Sequence, residues 1–186
     1  MGVNSWNIMA ITFTNKAAGE MKERVENLVG MGSESIWVST FHSTCVRILR
    51  RFIDRLGYST NFTIYDSDDQ KSVIKDICKR MNIDTKQYKE KTILGQISNA
   101  KDNLVTPDAM YQNSGNNYNT MRIAEIYRAY QEQLKKNNAV DFDDIIMLTV
   151  KLFEKHEDVL AYYQRKFQYI MVDEYQDTNR AQFELI

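Results

Sequence analysis

The residues with the plainest chemical potential stand near the end of the chain. There an apolar run, Gln168-Tyr169-Ile170-Met171-Val172, passes directly into Asp173-Glu174-Tyr175-Gln176-Asp177-Thr178. The run reads as a strand of the buried type. In nucleotide hydrolases an Asp at such a strand tip holds Mg²⁺, generally through water, and an adjacent Glu orients or deprotonates the attacking water. Two neighbouring carboxylates then supply one metal ligand and one base. The same residues also read as a solvated turn in which Asp177 or Thr178 caps the last helix. The pattern alone leaves both readings open.

A second group lies near the start. Phe13, at the end of an apolar run, offers a stacking face to a nucleic-acid base, a contact worth roughly 1 to 3 kcal/mol. Thr14, Asn15 and Thr40, with the amides of two helix N-termini, can hold phosphates without reading sequence, and Lys16 adds charge. Phe13 also reads as a buried strand residue, and His42 as an ordinary residue at a helix start. Arg47, Arg50, Arg51 and Arg55 form either a backbone-contacting stripe or a solvated helix face. Asp141-Phe142-Asp143-Asp144 has the carboxylates of a metal site, but carboxylates in a helix's first turn stabilise the helix dipole, and capping is the role assigned.

These residues need elements to hold them. Residues 8–13 read as a strand and 15–29 as a helix stopped by Gly30 and Gly32. A strand at 36–40 feeds a helix over 41–56, closed by Gly57. After a short β-like run at 62–65, Ser67-Asp68-Asp69-Gln70 reads as a capping box opening a helix to about Met81. Helical patterns follow at 85–101, 106–113, 118–137, 141–155 and 157–166; in the third, Ile123, Tyr127, Tyr130 and Leu134 share a face. A strand at 168–172 and a helix from Asn179 restore the α/β pattern. The layout predicts an α/β fold in which a mostly helical region of about a hundred residues interrupts a parallel sheet shared by both ends.

The 186 residues suffice for one or two packed domains. With 24 Lys and Arg against 25 Asp and Glu, any nucleic-acid surface must be local. Cys45 and Cys78 lack the spacing of a zinc site or a disulfide scaffold and read as core thiols. No apolar run approaches the roughly 18 residues that cross a bilayer, and no charged-then-apolar leader opens the chain. A soluble, cytoplasmic protein without a membrane partner is expected.

Three separated segments resemble one family. Ala10-Ile11-Thr12-Phe13-Thr14-Asn15-Lys16-Ala17-Ala18 is similar to motif Ia of the superfamily 1 DNA helicases of the UvrD, Rep and PcrA type. Ser39-Thr40-Phe41-His42-Ser43 is similar to motif Ib, and Asp173-Glu174-Tyr175-Gln176-Asp177-Thr178 to motif II, the Walker B element. Val140-Asp141-Phe142-Asp143-Asp144 resembles a segment found shortly before motif II. Order and spacing agree over essentially the whole chain.

The resemblance implies a partial RecA-like motor domain of the P-loop NTPase type, labelled 1A, over 1–66 and 167–186. It is interrupted by a helical domain, 1B, over 67–166. It implies ATP and Mg²⁺ as cofactors, 3′ to 5′ translocation on single-stranded DNA, and partners that are single strands or junctions between single and double strands. By the same carry-over Asp173 binds the metal, Glu174 activates water and Gln176 senses the nucleotide. Phe13, Thr14, Asn15, Lys16, Thr40 and His42 line the strand's path.

The departures matter as well. No G-x-x-x-x-G-K-[ST] loop occurs in the sequence, and the family's later motifs lie beyond motif II. Gly19 replaces a basic residue common in the family, which weakens a local contact. The expectation is therefore a helicase fragment with half of a catalytic site, inactive alone, binding no cofactor tightly and self-associating through an exposed sheet edge. The motor of a helicase-nuclease subunit and a non-catalytic helical module are the alternative functions.

Overall fold

A computed structural model describes residues 2–84, 86 and 88–186. The fold is mixed α/β and mostly helical, with two small parallel sheets among the described residues. The first sheet has the order β2 (Trp37–Thr40), β1 (Ile8–Thr12), β5 (Tyr169–Val172). Met9 lies beside Trp37 on one side and Ile170 on the other, and Thr12 beside Thr40. The opening strand is thus the central one, paired along both sides, and the unpaired edges fall to β2 and β5.

Each strand hands over to a helix through a polar cap. Thr14 accepts a hydrogen bond from the Ala17 amide at 3.1 Å and starts α1 (Asn15–Val29). Thr40 does the same for the Ser43 amide at the head of α2 (Phe41–Phe52). Gly30 ends α1 at φ +72° and Gly57 follows α2 and its 3-10 extension at φ +79°, conformations that side chains with a Cβ resist.

Six further helices follow: α3 (Ser67–Arg80), α4 (Glu90–Asp102), α5 (Pro107–Gln112), α6 (Tyr118–Lys136), α7 (Phe142–Lys155) and α8 (Glu157–Lys166). After β5 comes α9 (Arg180–Leu185). The box at the head of α3 differs from the expected one. Asp66, not Ser67, is the cap, exchanging bonds with Asp69. The helix expected over 85–101 begins at Glu90; its expected first turn includes residues 85 and 87, outside the described set.

The apolar residues gather into two cores. The first joins Met9 and Ile11 of β1 to Phe41, Cys45, Ile48 and Leu49 of α2, Ile145, Leu148 and Leu152 of α7, Val159 and Tyr163 of α8, and Ala181 of α9. The second joins Ile74, Ile77 and Cys78 of α3 to Ile93 and Ile97 of α4 and Ile126, Tyr127, Tyr130 and Leu134 of α6. Helices α7 and α8 lie within 67–166 by sequence but pack into the first core. Where the chain passes between the cores, β3 (Thr63–Ile64) and β4 (Ala139–Val140) pair in parallel, Thr63 beside Ala139. Ala139 belongs to the second core and Val140 to the first. Both cysteines are free and buried.

Candidate functional site

Because β2, β1 and β5 run parallel, their C-terminal ends lie on one side of the sheet, where open α/β sheets bind ligands. At that end Thr40 closes β2, Phe13 and Thr14 follow β1, and Asp173 follows β5. The Asp173 amide donates to the Ile11 carbonyl at 2.9 Å, extending the ladder by one bond.

Next to β1 and β2 is a trough of about 640 Å³ lined by Phe13, Thr14, Asn15, Thr40, His42, Ser43, Val46, Arg47, Ile64, Phe142 and Ile145. Five of the six residues read from the sequence as a nucleic-acid path come together here. Lys16 is not among the lining; it is exposed and sits 3.9 Å from Glu20 on its own helix. The Thr14 and Thr40 hydroxyls are occupied as helix caps, so the N-termini of α1 and α2 face the trough with their remaining amides and positive dipole ends. Phe13 is half-buried, its ring 5.4 Å from that of Phe41.

His42 is stacked on Phe142, with ring centroids 3.6 Å apart and planes 19° from parallel. Burial lowers the His42 pKa to about 4, against a hydrogen bond with the Phe142 backbone that acts in the opposite direction. The imidazole is therefore neutral near pH 7, a flat ring rather than a cation. Phe142 itself remains 54% exposed, an aromatic face on the trough that the sequence reading passed over. The only signal available was a Phe between two capping carboxylates.

At the tip of β5, Asp173, Glu174 and Gln176 are exposed. Glu174 has φ +53°, the left-handed region that non-glycine residues enter at a cost. This kink turns the chain into a 3-10 turn over Tyr175–Asp177, and the Gln176 amide donates to the Glu174 carboxylate. The last helix is capped by neither Asp177 nor Thr178. Asn179 caps α9 in a box with Gln182 and also donates to Asp102 at 2.7 Å, while the Thr178 hydroxyl returns to the Tyr175 carbonyl. The two carboxylates after β5 are left free of capping duty. No group of three or more His, Cys, Asp or Glu side chains able to enclose a metal occurs among the described residues.

The arginines of α2 and its extension are exposed, and three of the four bond to other parts of the molecule. Arg50 donates to the Thr60 and Phe62 carbonyls at 2.9 and 2.6 Å and lies over the Phe62 ring. Arg51 donates to the Tyr162 hydroxyl, Arg55 pairs with Asp158, and Arg47 covers Trp37. Arg47, which also lines the trough, makes no hydrogen bond or ion pair among the described residues, so the row is a solvated face tied to its neighbours at three of four positions.

Asp141 and Asp144 cap α7 in a reciprocal box, as expected, but they also hold a lysine that the sequence reading did not single out. Lys101 of α4 is fully buried, 2.6 Å from Asp141 and 2.8 Å from Asp144. Tyr130 donates to Asp141 at 3.0 Å and Gln131 to Asp144 at 2.9 Å. Burial acts to lower the Lys101 pKa, but the attraction of the two carboxylates outweighs it and the ammonium stays charged. Burial beside Asp141 raises that of Asp144.

A sequence family model, the UvrD/REP helicase N-terminal domain, matches residues 1–186. The chain belongs to this family. It is 58% identical over 184 residues to the ATP-dependent DNA helicase PcrA of Staphylococcus aureus (strain Mu50 / ATCC 700699), an alignment covering 99% of this chain and 25% of that protein. It is 56% identical over the same length and shares to the ATP-dependent DNA helicase PcrA of Bacillus subtilis (strain 168). The chain thus spans about a quarter of the length of these curated relatives. No described helix is long and apolar enough to cross a membrane.

Proposed function

We propose that this chain is part of an ATP-dependent DNA helicase that couples ATP hydrolysis to 3′ to 5′ movement along single-stranded DNA. The observation that carries the reading is a juxtaposition. The carboxylates after β5 and the trough beside β1 and β2 occupy the same end of one parallel sheet, so a change at the first is one strand away from the second.

In this reading β1, β2 and β5 belong to a RecA-like motor domain over 1–66 and 167–186, which α7 and α8 join by packing on its core, and the inserted part of 67–166 is α3 to α6. The core shared by α3, α4 and α6 supports the insertion, and the β3–β4 pair ties its two connections together. Single-stranded DNA, or its junction with a duplex, lies along the trough. Phe13 and the stacked His42–Phe142 pair offer faces to bases, Asn15 and the amides of the helix N-termini that Thr14 and Thr40 cap hold phosphates, and the exposed Thr14 hydroxyl keeps its proton to donate. Such contacts read no sequence and weaken steeply with salt.

Asp173 and Glu174 suit Mg²⁺, a hard cation that takes one or two carboxylates and keeps its other positions for water and phosphate oxygens. Bound with ATP, Mg²⁺ would neutralise the charge on the phosphate oxygens. Asp173, fixed by its bond to Ile11, is the ligand. Glu174 orients and deprotonates water, and Gln176, bonded to Glu174, reports the state of the nucleotide. In the full-length helicase Glu174→Gln should abolish ATP turnover and leave nucleotide binding intact, since the amide keeps the shape and loses the base. Equal loss of binding would make Glu174 structural and overturn the assignment.

A further inference from the structure

We infer that Lys101 is a positioning residue: buried in the helical core, it sets the first turn of α7 and so places Phe142 against His42 in the trough. The inference builds on the trough's proposed role as a single-strand path.

The chain of contacts is short. The Lys101 ammonium sits between Asp141 and Asp144, and those carboxylates make the reciprocal cap that fixes the backbone of α7 at its first residues. Phe142 is the residue between Asp141 and the rest of that turn, and its ring is the one stacked on His42. Lys101 stands on α4, and Tyr130 and Gln131 stand on α6, the two helices that supply much of the second core. The head of α7 is therefore held by two groups of partners at once. Its apolar side packs on the first core through Ile145 and Leu148, and its polar cap is gripped by the second core.

A cap needs no buried cation to work. Asp66 and Asp69 form the same box at α3 in water. Two buried carboxylates with one lysine are costly to desolvate, and an apolar trio of similar volume would hold the cores together as well or better. What the ionic cluster adds is direction. The Tyr130 and Lys101 bonds to one carboxylate oxygen of Asp141, and the Lys101 and Gln131 bonds to one of Asp144, fix the azimuth of the turn that carries Phe142. Displacement of α4 or α6 relative to the sheet is transmitted to the aromatic face of the trough, which couples the helical region to the grip on the strand.

The 186-residue chain has two histidines, His42 and His156, so proton NMR gives two separable imidazoles. Ring-current shifts from Phe142 mark His42. Phe142→Ala defines the shift when the stack is gone. Lys101→Met should move the His42 signals part of the way to that limit and leave those of His156 in place. Tyr130→Phe, which keeps the shape of the core and loses one bond to Asp141, should move them in the same direction by less, and it carries the test if Lys101→Met does not fold. In titrations of labelled oligothymidylate at low salt, Lys101→Met should weaken binding about fivefold and add nothing in the Phe142→Ala background, because a stacking contact is what both remove. Substitutions acting only through stability would lower the unfolding temperature and combine additively. Unmoved His42 signals in folded Lys101→Met or Tyr130→Phe would overturn the inference. Unchanged oligonucleotide binding in Phe142→Ala would instead overturn the trough's role, with the imidazole shifts still deciding whether Lys101 positions the ring.

Discussion

His42 shows how burial rather than residue type decides what a side chain can do. Packed against Phe142 and half withdrawn from water, its imidazole has a pKa lowered from 6.5 to about 4. Above pH 6.5 it is neutral in the folded and unfolded chain alike and contributes no pH dependence. Between 6.5 and 4 the unfolded chain takes up a proton that the native imidazole refuses, so stability falls as acid is added. Asp144 acts with the opposite sign. Its raised pKa lets the native state hold a proton before the unfolded one does, which favours folding as the pH falls. Removing the first effect should expose the second. Urea unfolding of His42→Gln should show less loss of stability than the parent chain across that interval. An identical pH profile for the two would mean that His42 titrates normally and is not buried by Phe142. The sequence reading grouped His42 with Phe13 and Thr40, and the structure brings the three to one trough, but the sequence could not reveal this protonation behaviour. That depends on Phe142, a hundred residues away and brought near only by the folding of α7 onto α2.

At the scale of elements, caps and apolar periodicity made most of the helices readable, because those signals are local. Thr14 and Thr40 stand where a strand's alternation gives way to a helix, and the repeats in α6 and α7 mark their buried faces. The partner of each element was less legible. Nothing local distinguishes the Asp141 box, buried against Lys101, from the Asp66 box, which stands in water, and a lone lysine near the end of α4 reads as solvated. Nor did the helical pattern over 141–166 show that α7 and α8 pack into the sheet's core. Their apolar faces are no different in kind from that of α6. The two boxes should respond very differently to the same substitution. Asp141→Ala strands a buried ammonium with one remaining carboxylate and should cost about 3–5 kcal/mol. Asp66→Ala opens an exposed cap whose amides are at once rehydrated and should cost far less. Urea denaturation of both variants checks the contrast, and comparable losses would show that the Lys101 cluster is hydrated in solution.

For the whole molecule, the sheet's edges decide how copies of the chain meet. The expectation of an exposed edge counted on a poorly protected first strand, and the register puts the edge elsewhere. β1 is paired on both sides, and β5 carries the apolar edge, with Tyr169, Ile170 and Met171 all substantially exposed and Met171 at 58%. The run read from the sequence as a strand of the buried type is not buried here: no neighbouring strand covers its outer edge, and residues on both faces of β5 meet water. Behind it lies a cleft of about 350 Å³ bounded by Met9, Ile11, Phe167 and Ile170 and, from the last helix, Leu185. An unprotected strand with apolar side chains on both faces is a template for pairing, and natural sheets usually blunt such edges with charge. The chain should therefore associate with itself as its concentration rises, β5 to β5, and Met171→Lys should reverse this by placing a like charge on each copy at the join. The substitution faces water and leaves the first core untouched, so the unfolding temperature of the monomer should change little. Sedimentation of the two proteins over a range of concentrations reads the difference. A parent chain that stays monomeric throughout, or a Met171→Lys variant that associates equally well, would locate the contact elsewhere or remove it.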